Sequence, residues 1–152
     1  MNTDNTDWHK SVAAVVIKDN KVLLGRHTYG AGKGKLIIPG GYLEKDELPE
    51  DAVKREVFEE TNININPTDI IGIRFNQKDW YVIFSADYNG GTAKPNDEEN
   101  SEVLWLDVEE SLKRNDVPDL TKKAIESALG KHKLENVSFY SNERSGKNSY
   151  YG

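Results

Sequence analysis

With 152 residues, 36% of them apolar and 30% charged, the chain is long enough to bury one core and reads as a single domain. Its net charge of −6 opposes nonspecific attraction to nucleic acid or to an anionic membrane, and the lack of cysteine excludes disulfides and thiol catalysis while suiting a reducing cytoplasm. A small anionic substrate would therefore need help from a metal ion or a few local cations.

Met1 to Trp8 contains neither a cationic nor an apolar run, so no secretory signal or membrane span is expected and the location is read as cytoplasmic. Residues 1–10 are taken as an N-terminal arm. Ser11 to Ile17 and Lys21 to Arg26 are β-branched, apolar runs separated by Asp19-Asn20, a strong hairpin signal. Gly30 to Lys35 is a glycine and lysine loop, and Leu36 to Ile38 is a short strand stopped by Pro39. A helix is predicted from about Pro49 to Thr61, with proline in the tolerated first turn and Glu50 and Asp51 near the positive helix end. Ile70 to Phe75 and Trp80 to Tyr88 read as a second antiparallel pair, Asn89 to Ser101 as a loop without apolar period, and Val103 to Leu106 as a strand. Val108 to Arg114 is a short helix, and Asp119 to Lys131 a longer amphipathic one with Leu120, Ala124 and Ala128 on one face. Val137 to Tyr140 offers an edge strand. The domain is drawn over 11–140, and the polar stretch 141–152 is taken as a flexible tail. Strands before and after a crossing helix, then a terminal helix, give an α/β class: an α/β/α sandwich around a mixed sheet.

Most of the chemistry is concentrated between Gly41 and Ile63. Residues three and four apart share a helix face, so Glu56, Glu59 and Glu60 are expected to converge within about one turn, with the small Ala52 inside the same arc and Val53 and Val57 on the buried edge. Like charges so close would repel, and a divalent cation removes that penalty. Oxygen ligands at this density select a hard ion, for which Mg²⁺ fits better than zinc.

This run resembles the box of the Nudix hydrolases, G-x5-E-x7-R-E-U-x-E-E-x-G-U with U aliphatic. Gly41, Glu47, Arg55, Glu56, Val57, Glu59, Glu60 and Ile63 fall at the family spacing, and Asn62 replaces the late glycine. That departure is mild, because asparagine is the next choice after glycine for left-handed geometry just after a helix. The resemblance extends from about Ser11 to Lys131 and implies the Nudix-type α/β/α sandwich. It also implies hydrolysis of a diphosphate bond in a nucleoside diphosphate linked to a group X, with Mg²⁺ or Mn²⁺ polarising a phosphoryl oxygen and orienting water. Carried over by position, Glu56, Glu59 and Glu60 would be metal ligands together with the Gly40 carbonyl, one of the acids being also a candidate base. Arg55 and Glu47 would orient them, and Gly40 and Gly41 would let the backbone approach ion and phosphate. In some relatives the general base lies on the loop before the strand that here contains Trp105. Glu98, Glu99 and Glu102 are then candidates, with Glu99 carried forward as the one to test.

For substrate contacts, Arg26 and His27 end the second strand, near where relatives keep phosphate-binding cations, and Lys33, Lys35 and Arg74 are further candidates. Phe75, Trp80 and Tyr81 could stack a base, although aromatics at alternate strand positions are more often core, and Trp105 is read as core. Three readings compete: a nucleoside triphosphate pyrophosphohydrolase, favoured because Tyr29 to Gly34 resembles the loop of triphosphate-cleaving, MutT-like members; an enzyme acting on ADP-ribose or another nucleotide sugar; and a nucleotide-binding regulator. All four box glutamates are present, which favours an enzyme. The partner is a small nucleotide, with no nucleic acid and no membrane, and both a monomer and a homodimer are compatible with the sequence.

Overall fold

The computed structural model describes residues 9–75, 79–130, 134–142 and 146–151, the last two segments by their backbone. In chain order the strands are β1 (His9–Lys18), β2 (Lys21–His27), β3 (Leu36–Ile37), β4 (Gly40–Tyr42), β5 (Ile63–Phe75), β6 (Asp79–Gly91), β7 (Asn100–Asp107), β8 (Leu134–Asn142) and β9 (Gly146–Tyr151). The helices are α1 (Pro49–Thr61), α2 (Val108–Ser111) and α3 (Asp119–Leu129). Of the predicted N-terminal arm, residues 1–8 lie outside the described residues, and His9 and Lys10 already belong to β1.

Asp19 and Asn20 both have positive φ, 51° and 60°, which is the mirror-image turn that matches strand twist in a two-residue hairpin. The two strands that it joins then part. β1 is registered with β2 only at Ile17 and Lys18, next to the turn; farther along, Ser11, Val12 and Ala13 pair with β4 while β2 runs on against β7. On its other side β1 lies parallel to β6 over eight registered residues, and β5 returns antiparallel to β6, so the sheet is mixed. The divergence of β1 and β2 leaves an opening between the two halves of the sheet, and there the cavity described below is found.

Two apolar clusters occupy the two faces of the sheet. Val12, Ala14, Val16, Leu23, Phe84 and Ile63 pack beneath Ala52, Val53 and Val57 of α1; Ala13, Val15, Val22, Leu24 and Ile83 pack beneath Ala124 and Ile125 of α3. Successive residues of β1 thus feed opposite layers, as the twofold alternation of a strand requires. This is the three-layer α/β/α arrangement. Ala52 is fully buried in the α1 cluster, so its small side chain accommodates the sheet and not an ion above the carboxylates.

The strands extend beyond their predicted limits at several points. β5 starts at Ile63, ahead of the predicted start at Ile70; Asn64, Asn66, Pro67 and Asp69 oppose a strand, yet Ile63 and Ile65 are buried and alternate with exposed neighbours, and three register shifts against β6 absorb the irregular residues. Residues 146–151, within the stretch taken as a tail, form β9 against β8, and β8 continues the sheet through Asp69 and Ile70 of β5.

The end of α1 bears out the left-handed geometry expected at Asn62, with φ 64° and ψ 20° and its N–H on the Phe58 carbonyl at 2.8 Å. Its side-chain amide also donates to the Thr92 carbonyl at 3.0 Å, on the surface. Glycine would relieve the Cβ penalty and lose that exposed bond, two effects of about 0.5–1 kcal/mol each and opposite in sign. Asn62→Gly should therefore leave stability within about 0.5 kcal/mol by urea denaturation and leave turnover unchanged; a loss above about 1.5 kcal/mol would mean the Thr92 bond dominates.

Candidate active site

The site starts from one guanidinium. Arg55, one helical turn before Glu59, forms a two-pronged pair with Glu47 through Nε at 2.8 Å and Nη2 at 2.9 Å. Its Nη1 donates to Glu56 at 2.9 Å and Glu59 at 3.2 Å, and its Nη2 also to the Tyr42 carbonyl at 3.1 Å. Glu47 in turn accepts the Glu44 N–H at 2.9 Å, which ties the loop after β4 to the helix. The Arg55 hydrogen bond holds the Glu47 carboxyl below its ordinary range, and Glu47 and Glu56 together push the guanidinium pKa up. A fork of rigid donors suits this role, which a lysine could not fill.

Close approach explains both glycines of β4, against backbone at Gly40 and against the Glu56 carboxyl at Gly41. A Cβ on Gly41 would lie 2.4 Å from the Glu56 carboxyl carbon, and one on Gly40 would lie 2.1 Å from the Val12 carbonyl oxygen. With both bare, β4 runs directly over α1, and the Gly40 N–H donates to Oε2 of Glu60 at 3.2 Å.

Glu56 and Glu60 open into a cavity of about 420 Å³, which Glu99 also lines from the loop before β7. Glu60 is the most deeply buried of these acids, at 7% exposure. Burial, reinforced by Glu99 and Glu56, pushes its carboxyl pKa up to about 9 despite the Gly40 N–H. Burial likewise raises Glu56, against the pull of Arg55. Acids so held need a positive partner, and their ligand atoms are all oxygens, which suits a hard divalent ion. Among the described residues, however, no three acidic or imidazole side chains are gathered closely enough to enclose an ion as they stand. Arg55 accounts for part of this. Glu59, which the helical spacing places with the other two, is half exposed, outside the cavity lining and held by Arg55.

The remaining predicted residues divide in the same way. His27 lines the cavity with its ring stacked on Tyr29 at 6.4 Å, and burial lowers its pKa against the opposing pull of Glu99. Arg26 does not line it. Its guanidinium is shared among Glu102 at 3.1 Å, Asp116 at 3.1 Å and the Gly34 carbonyl at 2.9 Å, so it fastens the glycine loop to β7 and to the segment before α3. Lys33 and Lys35 are exposed and lie outside the lining, whereas Arg74 is part of it. Of the three acids considered as base, Glu102 is occupied by Arg26 and Glu98 is exposed, leaving Glu99 at the cavity. Phe75 and Trp80 are exposed, at 60% and 53%, and meet edge to face at 5.3 Å; neither is core. Trp105 packs against the α1 cluster, as expected.

Ser11, Tyr29, Tyr42, Asp79 and Tyr81 also line the cavity; of these only Tyr29, in the glycine loop likened to that of triphosphate-cleaving members, and Tyr81, a base-stacking candidate, stand out in the sequence. The alternation Asp79, Tyr81, Ile83 was the available signal for the last part of that set, since it places all three on one face of β6.

The NUDIX domain profile matches residues 7–127, which include the whole glycine, arginine and glutamate framework just described. The chain belongs to the Nudix hydrolase family. Among relatives of this Nudix hydrolase, an NAD-capped RNA hydrolase NudC of Vibrio atlanticus is 34% identical over 125 residues, covering 78% of the chain but 44% of the relative. A MutT-like protein of Streptomyces ambofaciens is 36% identical over 106 residues, covering 68% of the chain and 67% of the relative. The chain thus spans less than half the length of that NudC. A solved Nudix hydrolase structure from Nitrosomonas europaea superposes with a TM-score of 0.70 at 26% identity, covering 80% of this chain and 88% of that one.

Proposed function

We propose that this Nudix hydrolase cleaves a diphosphate bond in a small nucleotide, with a nucleoside triphosphate as substrate and a nucleoside monophosphate and pyrophosphate as products. The observation that carries this reading is the gathering of Glu56, Glu60 and Glu99 in one cavity against a glycine floor that no side chain obstructs. Glu56, Glu60 and Glu99 would hold Mg²⁺ or Mn²⁺, with Glu59 within reach on the same helix. When bound, such an ion polarises a phosphoryl oxygen and lowers the pKa of water. Arg55 aims Glu56 and offsets part of the burial that raises its pKa, and Gly40 fixes one Glu60 oxygen. Glu99, less buried than Glu60, is suited to take the proton of the attacking water on a carboxylate oxygen.

The triphosphate rests on the Tyr29 to Gly34 loop, of which Tyr29, Gly30, Ala31 and Gly32 line the cavity. The help expected from Arg26 and Lys35 is missing from the lining. A second reading is supported by the name of the NudC relative: NAD is a diphosphate flanked by two nucleosides, close in chemistry to ADP-ribose. Comparison of kcat/KM for the common triphosphates, ADP-ribose and NAD, with chromatography of the products, separates the two. We expect triphosphates to lead by about 10-fold or more, a difference of roughly 1.4 kcal/mol in transition-state binding. A lead of that size for ADP-ribose or NAD, releasing AMP, would replace the first reading with the second.

A further inference from the structure

One wall of the cavity is assembled by strand register. Ser11 of β1 is paired with Tyr81 of β6, and Tyr81 is paired with Arg74 of β5, so the three stand in a row across the sheet. Asp79, two residues before Tyr81, faces the same side. Its Oδ2 accepts the Ser11 hydroxyl at 3.2 Å, and its Oδ1 accepts Nη2 of Arg74 at 2.6 Å. The Arg74 guanidinium carbon lies 5.3 Å from the Tyr81 ring centre, and its Nε is buried without a hydrogen-bond partner. All four residues line the cavity that holds Glu56, Glu60 and Glu99.

The wall and the acids differ in charge. Glu56, Glu60 and Glu99 form an acidic end suited to a cation and, through it, to phosphates, whereas Arg74 and Asp79 oppose each other in charge and offer a phosphate little net attraction. What they present is a fixed donor beside a fixed acceptor, because guanidinium only donates and carboxylate only accepts. A neutral, planar edge carrying an acceptor next to two donors is the complement. Guanine has that edge: O6 beside the N1 and N2 hydrogens, the two donors lying parallel as a carboxylate receives them. Adenine offers one donor beside an acceptor and leaves one carboxylate oxygen unused.

We propose that Arg74, Asp79 and Ser11 form a base-reading wall that selects guanine in the nucleotide bound by this site. The inference rests on the nucleotide reading above and adds the identity of the base. Asp79 accepts from N1 and N2, Arg74 donates to O6, and Ser11 holds the carboxylate in place.

Equilibrium binding of GMP and AMP by titration calorimetry tests it without any bond being cleaved, and so separately from hydrolysis. Wild type should bind GMP at least about 10-fold more tightly than AMP, within the range for a good paired contact to a base edge. Asp79→Asn, which replaces one accepting oxygen by a donor, should abolish that preference, so that GMP and AMP bind with affinities within about 2-fold of each other. Ser11→Ala, a milder change, should reduce the preference in part, and the kcat/KM ratio for GTP over ATP should fall in step. Equal affinity of wild type for GMP and AMP overturns the wall, as does an unchanged preference in folded Asp79→Asn. Should that variant not fold, the wild-type comparison and Ser11→Ala decide. A GMP preference with no turnover of any nucleotide upholds the wall and rejects the hydrolase reading.

Discussion

Replacing Glu60 by glutamine should lower turnover by roughly 10²-fold or more and, in the same protein stripped of metal, raise the melting temperature. The two effects have one cause. Glu60 is buried at 7% exposure with a single N–H from Gly40 as its hydrogen-bonding backbone partner, and Glu56 and Glu99 lie beside it. Without a cation, its pKa is about 9 in the folded chain against an ordinary 4.5, so the unfolded chain releases a proton that the folded chain keeps. The sign follows: relative to an exposed glutamate, this group's contribution is most favourable below pH 4.5 and is lost progressively as pH rises toward 9. Glutamine has no charge to bury. At pH 8 in EDTA the variant should melt a few degrees above wild type, in line with the roughly 2–4 °C per kcal/mol of a domain this size. Mg²⁺ should narrow or reverse the gap by stabilising wild type alone. A variant that is both active and no more stable than wild type in EDTA would remove Glu60 from the site. Glu59→Gln should follow the activity loss only if Glu59 leaves Arg55 to join the ion, and it should not alter metal-free stability, because Glu59 is half exposed.

Arg55→Lys is the second large effect. One guanidinium holds Glu47, Glu56, Glu59 and the Tyr42 carbonyl, and a lysine cannot span two oxygens of Glu47 while also reaching the helix acids. Partners that orient metal ligands typically cost 10–100-fold when changed, so kcat should fall by at least about 10-fold. Stability should fall by about 1–3 kcal/mol, since Glu47 and Glu56, both largely covered, lose a charged donor. The split between the two readouts is informative. A loss of stability with kcat/KM retained would make Arg55 a fastener of the loop after β4 and nothing more.

How far residue order alone reaches can be judged element by element. The hairpin at Asp19-Asn20, the helix from Pro49 to Thr61 and the left-handed Asn62 all follow from local chemistry, and the structure repeats them with small changes of boundary. The spacing in a known box places Arg55 and Glu47 with the helix acids, but the two-pronged pair between them is visible only in the structure. What could not be read locally depends on register between distant strands. Arg26 looks like a phosphate ligand at a strand end, yet Glu102 and Asp116 claim it from 76 and 90 residues away. Ser11 and Asp79 lie 68 residues apart and meet because β1 runs parallel to β6. Strand β5 hides behind Asn64 and Pro67, residues that oppose a strand in isolation and are carried by the burial of Ile63 and Ile65 on the α1 side. Convergence of Glu56, Glu59 and Glu60 was inferred from helical angle alone, which knows nothing of the Arg55 fork that holds Glu59 aside.

The most direct test of metal-dependent diphosphate cleavage is phosphorus NMR of a nucleoside triphosphate incubated with the protein and Mg²⁺, followed in the same tube after excess EDTA. The account predicts that the triphosphate signals give way to those of a monophosphate and pyrophosphate together, that EDTA stops the conversion, and that further Mg²⁺ restarts it. Conversion that continues unchanged in EDTA, or no conversion of any nucleotide by a folded protein in Mg²⁺, would contradict it.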